Sequence, residues 1–286
     1  MSMPDPMSQL LGLLQQHLPP LKPPRVAAVH LGPRPSADAI ADNRGSFCAL
    51  ALADGSLGLS FDGFGQVRQG LERAAATLPG VDALTLAQGL TTPDPLARAL
   101  GLAAVNALSR WLMDRAGYVP PKAGAATGLQ PIVPGEPVGM VGFFKPLIQP
   151  IVQAGGVLTI LELDPRWLGQ HGPGWRVTLD PAALRDSSQV VATATVLLNG
   201  TLTAVRQSCP RARHVALIGP SAGCLPDTLF AHGVHLLGSR WITDAQAYLD
   251  AVAQGDSGRA VSHKVQITPA DYPGLRELLR RAGAND

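Results

Sequence analysis

The pattern of apolar and polar residues changes near the middle of the 286-residue chain. In the first half, leucines of residues 10–18 recur at helical spacing, and residues 25–32 form a short apolar run typical of a strand. Two apolar runs within residues 46–61 are joined by Asp54-Gly55, a strong β-hairpin signal. A nearly all-apolar helix is expected from about Pro95, with Gly117 as its stop. This half, residues 1–118, is predicted to be an α+β domain.

The second half alternates short apolar runs with helical segments. A stretch rich in proline and glycine, residues 119–134, is expected to be the linker between the halves. From residue 135 to about 255, the alternation is typical of parallel strands with helices on both faces of the sheet; residues 190–200 are interpreted as one strand and residues 234–238 as the last. The predicted fold class is therefore α/β: an α+β domain, a Rossmann-like, mainly parallel doubly wound sheet, and a C-terminal tail of residues 256–286.

Composition limits the classes of protein that fit. Hydrophobic residues make up 46% and charged residues 15%, as in a well-packed globular protein. A net charge of +2 with scattered arginines argues against a nucleic-acid partner, and no apolar run approaches the roughly 20 residues of a membrane span. Cys48, Cys209 and Cys224 lie in separate segments without a CxxC motif, and the N-terminus lacks a signal-peptide pattern. We expect a cytoplasmic protein; a homo-oligomer is left open.

The candidate ligand-binding residues follow from the predicted sheet. Doubly wound sheets bind ligands outside the carboxyl ends of their strands. Glycines there let the backbone approach a ligand, Lys145 and the helix N-termini favour negative oxygens, and Glu162 could accept a hydroxyl or coordinate a cation. From the sheet and from the first half, the predicted ligand-binding residues are Asn43, Arg44, Asn106, Gly142, Lys145, Glu162, Asn199, Thr201, Gly219, Pro220 and Ser221. This set suits a small, oxygen-rich anion that holds a metal better than a bare soft metal, which prefers thiolates.

Two motifs point to other chemistry. Gly219 to Gly223 fits the G-x-S-x-G pattern of a nucleophile elbow, but the next helix is expected only from Pro226, which makes the loop too long for an elbow. Gly139 and Gly142 form only part of a dinucleotide fingerprint, although Glu162 and Asp164 stand where a ribose-binding carboxylate would be. The cysteine and histidine positions have no zinc-finger spacing.

The order of these segments resembles the two-domain family described as "putative heavy-metal chelation". The resemblance rests on ARALGLAAVNAL, VGMVGFFKPLIQPI, LTILELDP, LLNGTL and VALIGPSAGCLPDTLFAHGVHLLGSRWITDAQA. It implies a domain like the N-terminal domain of enolase, followed by a Rossmann-like domain. A ligand cleft would lie between the two domains, lined by the G-P-S loop (Gly219-Pro220-Ser221). Two hypotheses stay open: binding of a heavy or transition metal ion, or of a small anionic metal-chelating molecule, in that cleft; or a Rossmann-fold enzyme with NAD or S-adenosylmethionine as cofactor.

Overall fold

The computed structural model describes residues 5–34, 46–63, 66–124 and 127–284. Its first half contains a three-stranded antiparallel sheet in the order β1-β2-β3, with helices packed against it. The predicted hairpin is confirmed: β2 and β3 pair in antiparallel register across a turn in which Gly55 has a φ of 90°. The elements of this half are α1 (Pro6–His17), β1 (Val26–Leu31), β2 (Phe47–Leu52), β3 (Leu57–Phe61), α2 (Val67–Ala74), α3 (Ala83–Ala87) and α4 (Pro95–Arg115).

Helix α4 begins at Pro95 because the side chain of Asp94 accepts hydrogen bonds from the N–H groups of Leu96 and Ala97. Most of its residues from 99 to 113 are buried, so the helix has no solvent face over this length. It lies so close to β3 that a Cβ at Gly58 would be 2.0 Å from the carbonyl oxygen of Ala103. The nearly all-apolar sequence is therefore that of a helix packed on every side.

The second half forms an eight-stranded sheet in the order β11-β10-β9-β8-β4-β5-β7-β6. The six inner strands are parallel, and the two outer strands pair antiparallel to their neighbours. The predicted mainly parallel sheet is thus confirmed. Its elements are β4 (Pro137–Val141), α5 (Lys145–Gln153), β5 (Val157–Leu161), β6 (His171–Gly172), β7 (Trp175–Thr178), β8 (Gln189–Thr193), α6 (Thr195–Leu198), α7 (Leu202–Ser208), β9 (His214–Ile218), α8 (Asp227–Ala231), β10 (Leu236–Ile242), α9 (Ala245–Ala253), β11 (Ser262–Ile267) and α10 (Leu275–Arg281).

Three expectations about this sheet need correction. The strand expected over residues 190–200 ends at Thr193, and residues 195–198 form a helical turn. The strand expected to end at residue 238 continues to Ile242. Residues 256–286, expected to be a tail, contain an edge strand of the large sheet and a helix.

The two sheets share one large hydrophobic core. This core joins buried residues of α1 and α4 to buried residues of β8, β9, β11 and α10. The other face of the small sheet packs through Leu57 and Leu59 against Ile242, Tyr248 and Leu249. The domain boundaries predicted at 118, 134 and 255 stay a prediction, since the buried residues on both sides of them pack together. No helix within the described part of the chain has the length and hydropathy to cross a membrane.

Candidate functional site

The strand order of the large sheet reverses between β4 and β8, which is where doubly wound sheets bind ligands. Gly142 follows β4 with a φ of 87°, in the left-handed region that favours glycine. A Cβ at this position would lie 3.0 Å from Cγ2 of Thr193 at the end of β8. The two strand ends are therefore in contact at the reversal, and Gly142 serves this close packing.

Glu162 binds backbone groups at the end of β5. Its Oε2 accepts the N–H of Phe143 at 2.9 Å, and its Oε1 accepts the N–H groups of Leu163 at 2.7 Å and Asp164 at 3.3 Å. The carboxylate thus joins the loop after β4 to the loop after β5. Three of the roughly four lone-pair sites of a carboxylate are occupied in this way, so the structure explains Glu162 as a loop anchor.

Lys145 and Asn199 are both exposed at this edge of the sheet. The Lys145 ammonium stands 5.4 Å from the ring centre of Trp167, at the start of α5. The Asn199 side chain accepts hydrogen bonds from the Thr201 N–H at 3.1 Å and the Thr201 hydroxyl at 2.6 Å. This second pair of contacts closes a local turn between α6 and α7.

The G-P-S loop after β9 is held by α4 and β3. The Ser221 side chain is 1% exposed, and its hydroxyl accepts the N–H of Phe61 at 3.0 Å. Asn106 of α4 donates to the carbonyls of Leu59 at 2.7 Å and Ser221 at 3.0 Å, and Ser109 accepts the N–H of Leu225 at 3.1 Å. Ser221 is therefore buried in a contact between the two halves, which favours a loop role over that of an exposed nucleophile.

A cavity of about 230 Å³, the outer cavity, opens beside this loop at the carboxyl end of β9. Its walls are mainly apolar, and its charged lining residues are Arg240 and Lys264, with no carboxylate among the described residues that line it. Arg240 is held by a hydrogen bond from Nη1 to the Ser262 hydroxyl at 2.7 Å. The lining residues are Ala123, Gly128, Phe144, Pro146, Leu147, Ile218, Gly219, Pro220, Leu236, Gly238, Ser239, Arg240, Lys264, Val265 and Gln266.

A second, inner cavity of about 40 Å³ lies between α4, β3, the G-P-S loop and β10. Asn106, Arg110 and Gly223 line it, and Pro220, Ser239, Arg240 and Val265 line both cavities, which are therefore adjacent. Asn106 is 2% exposed, and its Oδ1 has no hydrogen-bond partner among the described residues.

The structure brings only part of the predicted set together. Gly219 and Pro220 line the outer cavity, and Pro220 and Asn106 line the inner one. Of the other predicted residues that the structure describes, none lines either cavity: Gly142, Lys145, Glu162, Asn199, Thr201 and Ser221. Asn43 and Arg44 lie outside the described residues. Arg240 and Lys264 are absent from the predicted set, although a cation between the apolar runs of residues 236–238 and 241–242 was a usable signal for Arg240.

The three cysteines are buried, and none of them lines either cavity. Burial raises the pKa of Cys48 and of Cys224 to about 12, and burial also raises the pKa of Cys209. The thiolate that a soft metal needs is therefore disfavoured at all three positions. Within residues 5–34, 46–63, 66–124 and 127–284, no three His, Cys, Asp or Glu side chains are placed to hold a metal ion together.

Comparison with known proteins places the chain in a family. Residues 125–270 match the DUF364 family model and residues 44–109 the DUF4213 model, both described as "Putative heavy-metal chelation". No protein of curated function matches. In fold, the chain is similar to a DUF364-family protein of unknown function from Pyrococcus horikoshii, with 17% identity, a TM-score of 0.69, and coverage of 92% of this chain and 99% of that one. A DUF364-family protein of unknown function from Desulfitobacterium hafniense DCB-2 shows 18% identity, a TM-score of 0.65, and coverage of 92% and 98%. Since the DUF364 match spans more than half of its length, the chain belongs to the family described as "Putative heavy-metal chelation".

Proposed function

We propose that the protein binds a small, anionic, metal-chelating molecule in the outer cavity. The observation that carries this proposal is the pairing of apolar walls with Arg240 and Lys264, without a carboxylate among the described lining residues. A guanidinium and an ammonium at one side of an apolar cavity attract a carboxylate or phosphate, which Arg can bind through two parallel hydrogen bonds. The cavity also lies at the carboxyl edge of the sheet, where ligands of this architecture bind.

The apolar walls refine the chemistry expected from the sequence. Phe144, Leu147, Ile218, Leu236 and Val265 surround most of the space, so the ligand has a ring or a short hydrocarbon body rather than oxygens on every side. Its anionic end lies toward Arg240 and Lys264. In this proposal the metal ion is cargo that the small molecule holds with its own oxygen or nitrogen atoms. The family description, heavy-metal chelation, supports a role of this kind.

The alternative of a nucleotide-dependent enzyme has less support. It depended on Glu162 or Asp164 as a ribose-binding carboxylate, but Glu162 accepts three backbone N–H groups and Asp164 pairs with Arg166 at 2.5 Å. It also depended on Gly142 as a point of backbone approach to a diphosphate, and Gly142 packs against Thr193.

Calorimetric titration with pyridine-2,6-dicarboxylate, alone and as its Ni²⁺ complex, tests the proposal. We expect both forms to bind the wild type, and Arg240→Gln to weaken binding at least about tenfold, or roughly 1.4 kcal/mol. The matched control is Arg211→Gln, because Arg211 is an exposed arginine that pairs with the exposed Asp186. If Arg240→Gln binds like the wild type while Cys209→Ser or Cys224→Ser loses Ni²⁺, the cavity is not the site and a thiolate centre is.

A further inference from the structure

The inner cavity contains a buried acceptor whose orientation is fixed. Both hydrogens of the Asn106 amide nitrogen are used, toward the carbonyls of Leu59 and Ser221, so the amide cannot turn over without losing both bonds. Its Oδ1 is left without a partner among the described residues. A buried carbonyl that lacks a donor costs about 1–3 kcal/mol, and native proteins rarely leave one empty. The inner cavity therefore offers an acceptor to a hydrogen-bond donor that enters it.

The size and charge of the inner cavity limit what that donor is. A volume of about 40 Å³ exceeds what one water needs but is too small for a ring. The charged side chains that line it, Arg110 and Arg240, are both cationic. The Arg110 guanidinium stacks on Trp241 with 3.7 Å to the ring centre, and pairs with Asp114 at 2.6 Å. An ammonium group would be repelled here, whereas a neutral hydroxyl can donate to Asn106 Oδ1.

We infer that the inner cavity is a hydroxyl subsite of the outer cavity. This inference rests on the proposed function and names its ligand class. Pro220, Ser239, Arg240 and Val265 line both cavities, so in this proposal one ligand places its anionic group at Arg240 and an adjacent hydroxyl at Asn106. A carboxylate with an adjacent hydroxyl on an apolar body is the arrangement of a 2-hydroxy acid, as in 2-hydroxybenzoate.

Gly223 allows this subsite to be filled without disturbing Asn106. A Cβ added there would lie 3.5 Å from Cβ and Cγ of Asn106 and 3.8 Å from its Oδ1, which are ordinary contact distances. The φ of Gly223 is not positive, so alanine is accepted by the backbone. Gly223→Ala therefore places a methyl group where the ligand hydroxyl would be. Gly12→Ala is the matched control, since Gly12 is exposed on α1 and has open space around it.

The experiment titrates 2-hydroxybenzoate and benzoate, which differ by one hydroxyl, into the wild type, Gly12→Ala and Gly223→Ala. We expect the wild type and Gly12→Ala to bind 2-hydroxybenzoate about tenfold more tightly than benzoate, because a site built for a hydroxyl discriminates against its loss. Gly223→Ala should lose this preference and keep the benzoate affinity.

Each other outcome has a defined meaning. If Gly223→Ala keeps the preference, the hydroxyl is recognised elsewhere and the subsite is wrong. If the wild type binds both acids equally, and Arg240→Gln weakens both, the subsite is wrong but the anion cavity stands. If neither acid binds the wild type, the anion cavity fails and the subsite fails with it.

Discussion

Replacing Asn106 by alanine should destabilise the protein, because its amide connects the small sheet to a loop of the large one. The carbonyls of Leu59 and Ser221 each lose a donor, at 2.7 Å and 3.0 Å in the wild type. Leaving each buried carbonyl without a donor costs about 1–3 kcal/mol of stability. Removing the Asn106 Oδ1, which has no partner among the described residues, offsets about the cost of one carbonyl. We therefore expect the free energy of unfolding to fall by about 2 kcal/mol, with a decrease of about 4 °C in melting temperature.

Urea unfolding followed by tryptophan fluorescence and circular dichroism measures this difference. The control is Asn199→Ala, the same substitution at an exposed position whose side chain bonds to the neighbouring Thr201. The free energy of unfolding of Asn199→Ala should stay within about 0.5 kcal/mol of the wild-type value, as is usual for substitutions at exposed positions. If Asn106→Ala is equally harmless, the hydrogen bonds between the halves do not carry the stability assigned to them.

The buried thiols and the C-terminal helix provide two more tests. Burial raises the pKa of Cys48 and Cys224 to about 12, from an ordinary 9.0, so a disulfide reagent at about pH 8 should label them only after unfolding. The contribution of these two buried thiols to stability is full below pH 9.0 and decreases as the pH rises toward 12. Fast labelling of the folded protein would contradict their burial. Asp227 accepts hydrogen bonds from the Tyr272 hydroxyl at 2.6 Å and from the Leu275 N–H at 2.9 Å. Asp227→Ala should therefore speed tryptic cleavage within α10. Unchanged cleavage would show that apolar packing alone holds that helix.

Local signals in the sequence were sufficient for elements that are buried and sharply bounded. Asp94 and Pro95 predict the start of α4, and the structure places the helix N-terminus at Pro95. The continuous apolar runs of the parallel strands are equally clear. The same continuity led to the wrong prediction of one strand over residues 190–200, because an apolar run does not distinguish a buried strand from a buried helical turn. Strand β11 was missed since it is an antiparallel edge strand, in which polar residues alternate with apolar ones.

The candidate site was harder to predict because side-chain partners depend on tertiary contacts. Glu162 has the position of a ligand-binding carboxylate, yet the N–H groups that occupy it belong partly to a loop 19 residues earlier. Arg240 lies two residues beyond the predicted end of the last strand at Gly238, whereas β10 continues to Ile242. Asn106 is a lone amide in a nearly apolar helix, where a buried amide needs partners, and it donates to the carbonyls of Leu59 and Ser221.

The burial of α4 between the two sheets determines how the molecule can open. Its residues pack against β3, while Asn106 and Ser109 hold the loop after β9. Separating the halves would expose that apolar surface and break those hydrogen bonds in a single event. Hinge opening between the two halves therefore costs too much free energy to occur in the folded state. The small sheet and the parallel strands are then one cooperative unit toward hydrogen exchange. A molecule bound beside β10 would slow the exchange of amides in β2, a strand that lines neither cavity.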